Sequence, residues 1–347
     1  MKIAIITDTH FGGRRGSKVF HDFFQKFYDN IFFPELEKRG IKHCIHMGDA
    51  FDNRKNIDYW SLDWAKEHVY DKFEKLGVRV WQLVGNHDVY YKNTNKINSI
   101  DSLLEHYDNI IPIYKPETYD IDGFKAMMMP WICDDNYQET LAAIERSDAK
   151  MAFGHLELHG FELYPGMFQQ GGIDKGIIAK FPTVFSGHYH TRSNDGQVFY
   201  LGNPYEMYWN DVNDRDRGFH LFDTDTLEHT PVNNPYQLFH NLYYEDTPHQ
   251  MLDITKYDQK ILKVIVRKKS DPKQFEKYID KLYSSNLAEL KIVENFDFTE
   301  GEEFEADESE DTISLLNRYI QESEVDLDKS VITEILQDVY REACEVE

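Results

Sequence analysis

Cysteine is scarce in this chain: Cys44, Cys133 and Cys344 are the only three in 347 residues, and no two share a C-x-x-C spacing. That argues against a disulfide framework and against a thiolate zinc site, and a reducing compartment is expected. Long apolar runs are also missing. No stretch approaches the roughly 18 consecutive apolar residues that suggest a membrane span, and the opening Lys2-Ile3-Ala4-Ile5-Ile6-Thr7 meets charge too soon for a signal peptide. A soluble, cytoplasmic protein with no membrane partner is expected. Positive charge is in short supply as well, with 38 Lys and Arg against 62 Asp and Glu and a net charge of −24. A broad basic face for coating nucleic acid is therefore excluded.

The negative charge is concentrated at one end. Glu294 to Glu347 holds 19 acidic and three basic residues, net −16, so the other 293 residues carry only −8. The body, in a chain 41% hydrophobic and 14% aromatic overall, has ample material for a core. Its length suits two domains and an appendage.

Hydrophobic periodicity predicts strands at 3–7, 41–47 and 78–84, separated by helices at 17–39 and 59–76 that stop at Gly40 and Gly77. This βαβαβ order signals a layered α/β sheet. Further strands are expected at 124–129, 149–153, 182–186, 197–201 and 217–222, with a helix at 136–146. Several lie too close in sequence for a crossover helix, so part of the sheet system should be antiparallel. Beyond Pro231 and Pro235 the pattern becomes a small α+β unit: strands at 239–244, 261–267 and 287–293, and a helix at 272–283. The predicted organisation is 1–234, 235–293, an acidic linker at 294–311, and a pair of short amphipathic helices within 312–347. Such helices lack a core of their own and are expected to dock on a partner.

Polar clusters recur where the strands end. Asp8-Thr9-His10 follows the first and Gly48-Asp49-Ala50-Phe51-Asp52-Asn53 the second; Gly85-Asn86-His87-Asp88 follows the third. Gly154-His155 and Gly187-His188-Tyr189-His190 follow two later ones. Ligand groups gather at the carboxyl ends of strands in open α/β sheets. A lone D-x-H is weak, whereas G-N-H-D arises by chance in about one chain of this length in several hundred. Asp8, His10, Asp49, Asn86, His155, His188 and His190 supply nitrogen and oxygen donors without sulfur, enough for two divalent metal ions sharing a carboxylate. Such a pair suits hydrolysis of a phosphate ester.

In this order and at strand ends, these motifs resemble those of the calcineurin-type metallophosphoesterases. The layout further resembles the nuclease subunit of the SbcCD/Mre-Rad recombination and break-repair complexes, and within that branch the exonuclease subunits of T-even phages. The resemblance implies a layered β-sandwich flanked by helices, a small α+β capping domain and a C-terminal helical pair. It implies that Asp8, His10, Asp49 and His190 hold one ion and Asp49, Asn86, His155 and His188 the other, with Mn²⁺ expected and Mg²⁺ an alternative. It makes His87 a catalytic group over the scissile phosphate, oriented by Asp88. Asp52 and Asn53 are expected beyond the ligands or fixing loops. The turn Gly202-Asn203-Pro204 stands where many relatives have P-G-S, and backbone packing beside the metal site is expected there.

The implied activity is a DNA nuclease, with 3′ to 5′ exonuclease and single-strand endonuclease cleavage. It would serve recombination, repair and recombination-dependent replication, in the host cytoplasm if phage-encoded. The implied partners are an SMC-like coiled-coil ATPase gripped by residues 312–347 and a second copy of the chain, for which Trp60, Leu62, Trp64 and Val69 are candidates. DNA would be held by Arg14, Arg15, Lys18, Arg54 and Lys55, with Lys92 and Lys96 nearby and Phe11 or Tyr189 able to stack on a terminal base. Two alternatives fit the motifs: a free-standing phosphatase or phosphodiesterase on small esters, and a binding scaffold with an inactive site.

Overall fold

The structure, a computed structural model, describes residues 1–164, 167–294, 320, 329–333, 335 and 336. Most of the acidic linker and helical pair expected at 294–347 lies outside the described residues. The chain divides into two compact units, one of Met1–Met207 with Asp214–Tyr236, the other of Tyr208–Asn213 with the residues from Gln237 onward. No helix among the described residues is long and apolar enough to cross a membrane.

In the first unit, β1 (Lys2–Ile6), β2 (His43–His46), β3 (Arg79–Leu83) and β4 (Ile110–Ile113) run parallel in one sheet. The chain then enters a second sheet, where β5 (Glu117–Ile121) pairs antiparallel with β6 (Phe124–Met129), and β6, β7 (Met151–His155) and β8 (Thr183–Gly187) run parallel. The short β9 (Ser193–Asn194) lies antiparallel to β10 (Val198–Tyr200), which runs parallel to β8. Finally β11 (Gly218–Asp223) returns to the first sheet antiparallel to β1, with β12 (His229–Asn233) outside it.

Each sheet has six strands, and their inner faces pack together through Ile3, Ile5, Ile45 and Leu83 from one and Met128, Phe153 and Phe185 from the other. This is the layered sandwich that the family resemblance implies. Central strands such as β1 and β7 are buried on both faces because both are covered. The outer face of the second sheet packs through Met127, Ala152 and Val184 on the helix Tyr137–Arg146. Over the first lies an aromatic layer including Phe27, Phe32 and Phe219, the last two with ring centroids 4.8 Å apart.

The two predicted long helices are each interrupted by a π-helical turn, at Tyr28–Phe32 and Lys66–Tyr70. Pro34, just after the first, has no N–H to continue an α-helical ladder, which accounts for that interruption. Gly40 and Gly77 end the helices in the left-handed conformation. In the second unit, β13 (Phe239–Tyr243), β14 (Ile261–Val266) and β15 (Glu289–Glu294) form a parallel sheet. The helix Pro272–Tyr283 packs on it through Phe275, Tyr278, Ile279 and Leu282.

Candidate metal centre

Five strands, β1, β2 and β3 of the first sheet and β7 and β8 of the second, carry the motif residues at their carboxyl ends. Asp8, His10, Asp49 and His188 all adopt positive φ, at 52°, 44°, 53° and 87°. Non-glycine residues adopt this region at a cost, and such outliers concentrate at functional sites. Two glycines make the convergence possible. A Cβ on Gly85 would lie 2.1 Å from Asp49 Oδ1, and one on Gly187 would lie 2.0 Å from Thr7 Oγ1. The close approach at these glycines is to the site's own side chains.

Three groups of donor atoms form, each mutually within 4.8 Å: Asp8, His10 and His190; His10, Asp49 and His87; and Asp49, His155 and His188. Asp49 Oδ2 lies 3.8 Å from His10 Nε2 and 3.2 Å from His155 Nε2, so one carboxylate faces both ends of the site. Asn86 Oδ1 lies 2.9 Å from both His155 Nε2 and His188 Nδ1.

The chemistry of these contacts calls for a cation. His155 Nδ1 donates to the Met47 carbonyl at 2.9 Å, so once Nε2 gives up its proton the ring presents a lone pair there. That lone pair faces two acceptors, Asn86 Oδ1 and Asp49 Oδ2. Acceptors converge only around a proton or a metal ion. Donors about 2.1 Å from one ion and at right angles lie about 3 Å apart, the spacing found here. The residues therefore fit a pair of divalent cations.

Titration behaviour reflects the same crowding. Burial opposes ionisation of Asp49, but His155, His87 and His10 outweigh it and hold its carboxyl well below the usual range. Burial also opposes protonation of His155, yet Asp49 and Asp8 raise it to about 9. Burial pushes Asp8 up. It likewise drives His190 well below the ordinary imidazole value, with the charge of His10 adding to the effect.

His87 lies at the mouth of this cluster, partly buried, its ring 4.9 Å from that of His10. Its backbone N–H donates to Asp49 Oδ1 at 2.8 Å and its Nδ1 to the Asp52 carbonyl at 2.5 Å. The expectation that Asp88 orients His87 is corrected here. The Asp88 carboxylate is fully buried and accepts from the backbone N–H groups of Ala50, Phe51 and Gly85 and from Ser99 Oγ. Its geometry makes it the clasp between the loops after β2 and β3, because three inward-pointing N–H groups need one acceptor. Asp52 takes two roles, its carbonyl on His87 and its carboxylate 3.1 Å from His10 Nδ1, off hydrogen-bond angle. Gly202-Asn203-Pro204 packs by backbone beside the site, with Asn203 N–H donating to the His190 carbonyl at 3.2 Å.

The candidate DNA contacts divide. Arg54 Nε donates to the Asn86 carbonyl at 2.8 Å and so braces the metal-site loop. Arg14 Nε donates to the Met207 carbonyl, while Lys18 pairs with Asp22 and Lys96 with Asp135. Arg15, Lys55 and Lys92 are exposed. Phe11 and Tyr189 are each only 1% exposed and cannot stack on a base. Phe11 is enclosed by Tyr28, Phe51, Trp64 and Tyr70, and Tyr189 is tied through its hydroxyl to the Leu158 carbonyl. Trp64 and Val69 are core residues, whereas Tyr59 and Trp60 are exposed.

Fold and site together define a metal-dependent phosphoesterase. The family model for calcineurin-like phosphoesterase matches residues 1–301, and the chain belongs to that family. It is a metal-dependent phosphodiester hydrolase. The chain is 31% identical over 310 residues to Exonuclease subunit 1 of Enterobacteria phage T4, covering 88% of this chain and 89% of that protein. Among solved structures, a dimetal phosphatase from Danio rerio aligns with a TM-score of 0.42 at 12% identity, over 64% of this chain and 91% of its own. A purple acid phosphatase from yellow lupin seeds aligns at 0.34 and 14%, over 55% and 38%.

Proposed function

We propose that this chain is the nuclease subunit of a two-component DNA-processing complex. It would act as a 3′ to 5′ exonuclease and single-strand endonuclease in recombination, repair and recombination-dependent replication, in the host cytoplasm if phage-encoded. The observation that carries the reading is the joining of two donor groups at Asp49 in a phosphoesterase fold. Similarity to a phage exonuclease subunit over nearly the whole chain supports DNA as the substrate.

Asp8, His10, Asp49 and His190 would hold one divalent ion and Asp49, Asn86, His155 and His188 the other, Mn²⁺ first and Mg²⁺ second. Bound there, such ions supply an activated water, polarisation of the phosphorus centre and neutralisation of the leaving oxygen. His87, held by the Asp52 carbonyl, would donate a proton to that oxygen. Arg15 and Lys55 would supply exposed charge for phosphates beside the site, with Arg14 adjoining Arg15, Lys18 at the start of the helix that follows, and Arg54 adjoining Lys55. Residues 312–347 would dock on the coiled coil of an SMC-like ATPase. The exposed Tyr59 and Trp60 would meet a second copy of the chain.

The test combines two measurements on the full chain. Mn²⁺-dependent release of nucleotides from DNA should be abolished in Asp49→Asn, and a large ATPase should copurify with the intact chain but not with one lacking residues 312–347. Robust turnover of a small phosphodiester with no cleavage of any DNA would instead favour a free-standing phosphodiesterase.

A further inference from the structure

Three neighbouring parallel strands of the second sheet, β6, β7 and β8, end side by side. The ends of β7 and β8 carry His155, His188 and His190. The end of β6 carries no metal donor; two residues beyond it stands Trp131. Its indole centroid lies 5.4 Å from the His188 ring and 6.3 Å from the His155 ring, and the side chain is only partly buried.

The chain fixes this position firmly. Trp131 N–H donates to the Val84 carbonyl at 2.8 Å, directly before the Gly85-Asn86-His87-Asp88 loop. The Trp131 carbonyl accepts from Asn95 Nδ2 and Asn136 Nδ2, both at 2.8 Å. Both asparagines are buried, 4% and 7% exposed. Buried amides are costly unless paired, and these two are paired to the same carbonyl oxygen. These bonds fix the backbone of Trp131, and its indole, on a partly exposed residue with Nε1 itself buried, lies beside the imidazoles that would hold one cation.

Resting on the nuclease reading, we propose that Trp131 is the platform on which a nucleobase flanking the scissile phosphate stacks. A π-face accepts any base, so the contact positions a strand without reading its sequence. It also fills the role for which Phe11 and Tyr189 are too deeply buried, and it needs no basic surface.

The experiment pairs a change in the protein with a change in the substrate. Trp131→Leu keeps apolar bulk without a ring, and Trp131→Phe keeps a ring. The substrates are a fluorescein-labelled oligothymidylate and the same strand with abasic sugars at its two terminal positions. With Mn²⁺, wild type should cleave the intact strand about 5- to 100-fold more efficiently, in kcat/KM, than the abasic one, the range for one base–aromatic stack. Trp131→Leu should lose most of that preference and Trp131→Phe should retain most of it. In EDTA, fluorescence anisotropy should show Trp131→Leu binding the intact strand more weakly while its affinity for the abasic strand changes little.

Equal loss on both strands in Trp131→Leu would overturn the proposal and make the indole a support for His155 and His188. A preference for the intact strand that survives in Trp131→Leu would overturn it too. A wild-type chain that cleaves no DNA would instead bring down the nuclease reading on which it rests.

Discussion

His10 Nε2 and His190 Nε2 meet at 3.1 Å although 180 residues separate them in the chain. Two imidazoles facing nitrogen to nitrogen can share at most one proton, and a second would set like charges against each other. Such a contact is a natural consequence of ligands gathered around one cation site. Replacing His190 with alanine should therefore weaken Mn²⁺ binding by at least about 100-fold while leaving the sandwich folded. Titration calorimetry on the metal-stripped chain, with circular dichroism for the fold, would check both parts.

Asp88 and His87 should separate by phenotype although they adjoin. Asp88→Ala leaves three buried N–H donors without an acceptor, at a cost of about 2–4 kcal/mol. Its unfolding midpoint should fall by about 5–15 °C. His87→Ala should keep the midpoint within a few degrees while lowering cleavage about 10²- to 10⁴-fold. Thermal scans beside single-turnover cleavage would reveal the split, and a stable Asp88→Ala would refute the clasp.

The basic loop after β1 trades stability for position. Arg14 and Arg15 have φ of 55° and 58° in a short left-handed turn between Gly12 and Gly16. Left-handed backbone costs a non-glycine residue about 1–2 kcal/mol, and glycine's greater unfolded-state entropy returns part of that. Arg15→Gly should thus raise stability by about 0.5–1 kcal/mol and at the same time weaken DNA binding. Urea titration and oligonucleotide anisotropy on the same preparation would test the pairing of a gain with a loss.

A histidine pair away from the metal centre, with His220 buried and His229 partly buried, sets an acid limit. His220 Nδ1 lies 3.0 Å from His229 Nδ1 on neighbouring strands, and burial lowers the pKa of His220 to about 2, with Arg192 and His229 adding to the effect. Unfolded, an imidazole titrates near about 6.5. Below that pH the unfolded chain binds the extra proton and the folded chain does not, so stability falls as pH falls. His220 alone should cost up to about 1.4 kcal/mol per pH unit between about pH 6 and 4. His220→Phe should flatten the profile, measured as urea midpoints between pH 7 and 5.

Much of this was legible in local pattern, and the reasons for the misses are specific. Strand, glycine and polar cluster recur within a few residues, so Gly85-Asn86-His87-Asp88 and Gly187-His188-Tyr189-His190 stood out without coordinates. The family resemblance implies a bond from Asp88 to His87, whereas the backbone turn directs the Asp88 carboxylate toward Ala50 and Phe51. Phe11 and Tyr189 looked available for stacking because they flank ligands, but residues flanking a strand-end ligand often point into the core. Trp131 carries no motif; only the pairing of β6 with β7 brings it to the site.

By itself, then, the sequence determined the chemistry: which donors exist, that sulfur is not among them, and that each follows an apolar strand and a tight turn. Those features depend on neighbours in the chain. The tertiary structure decided which donors meet, because strand order and register are set by packing two apolar faces against each other over long separations. That packing placed Asp49 between His10 and His155 and set Trp131 beside His155 and His188. It also made the close approach of Gly85 to Asp49 and of Gly187 to Thr7 a condition for the site to form.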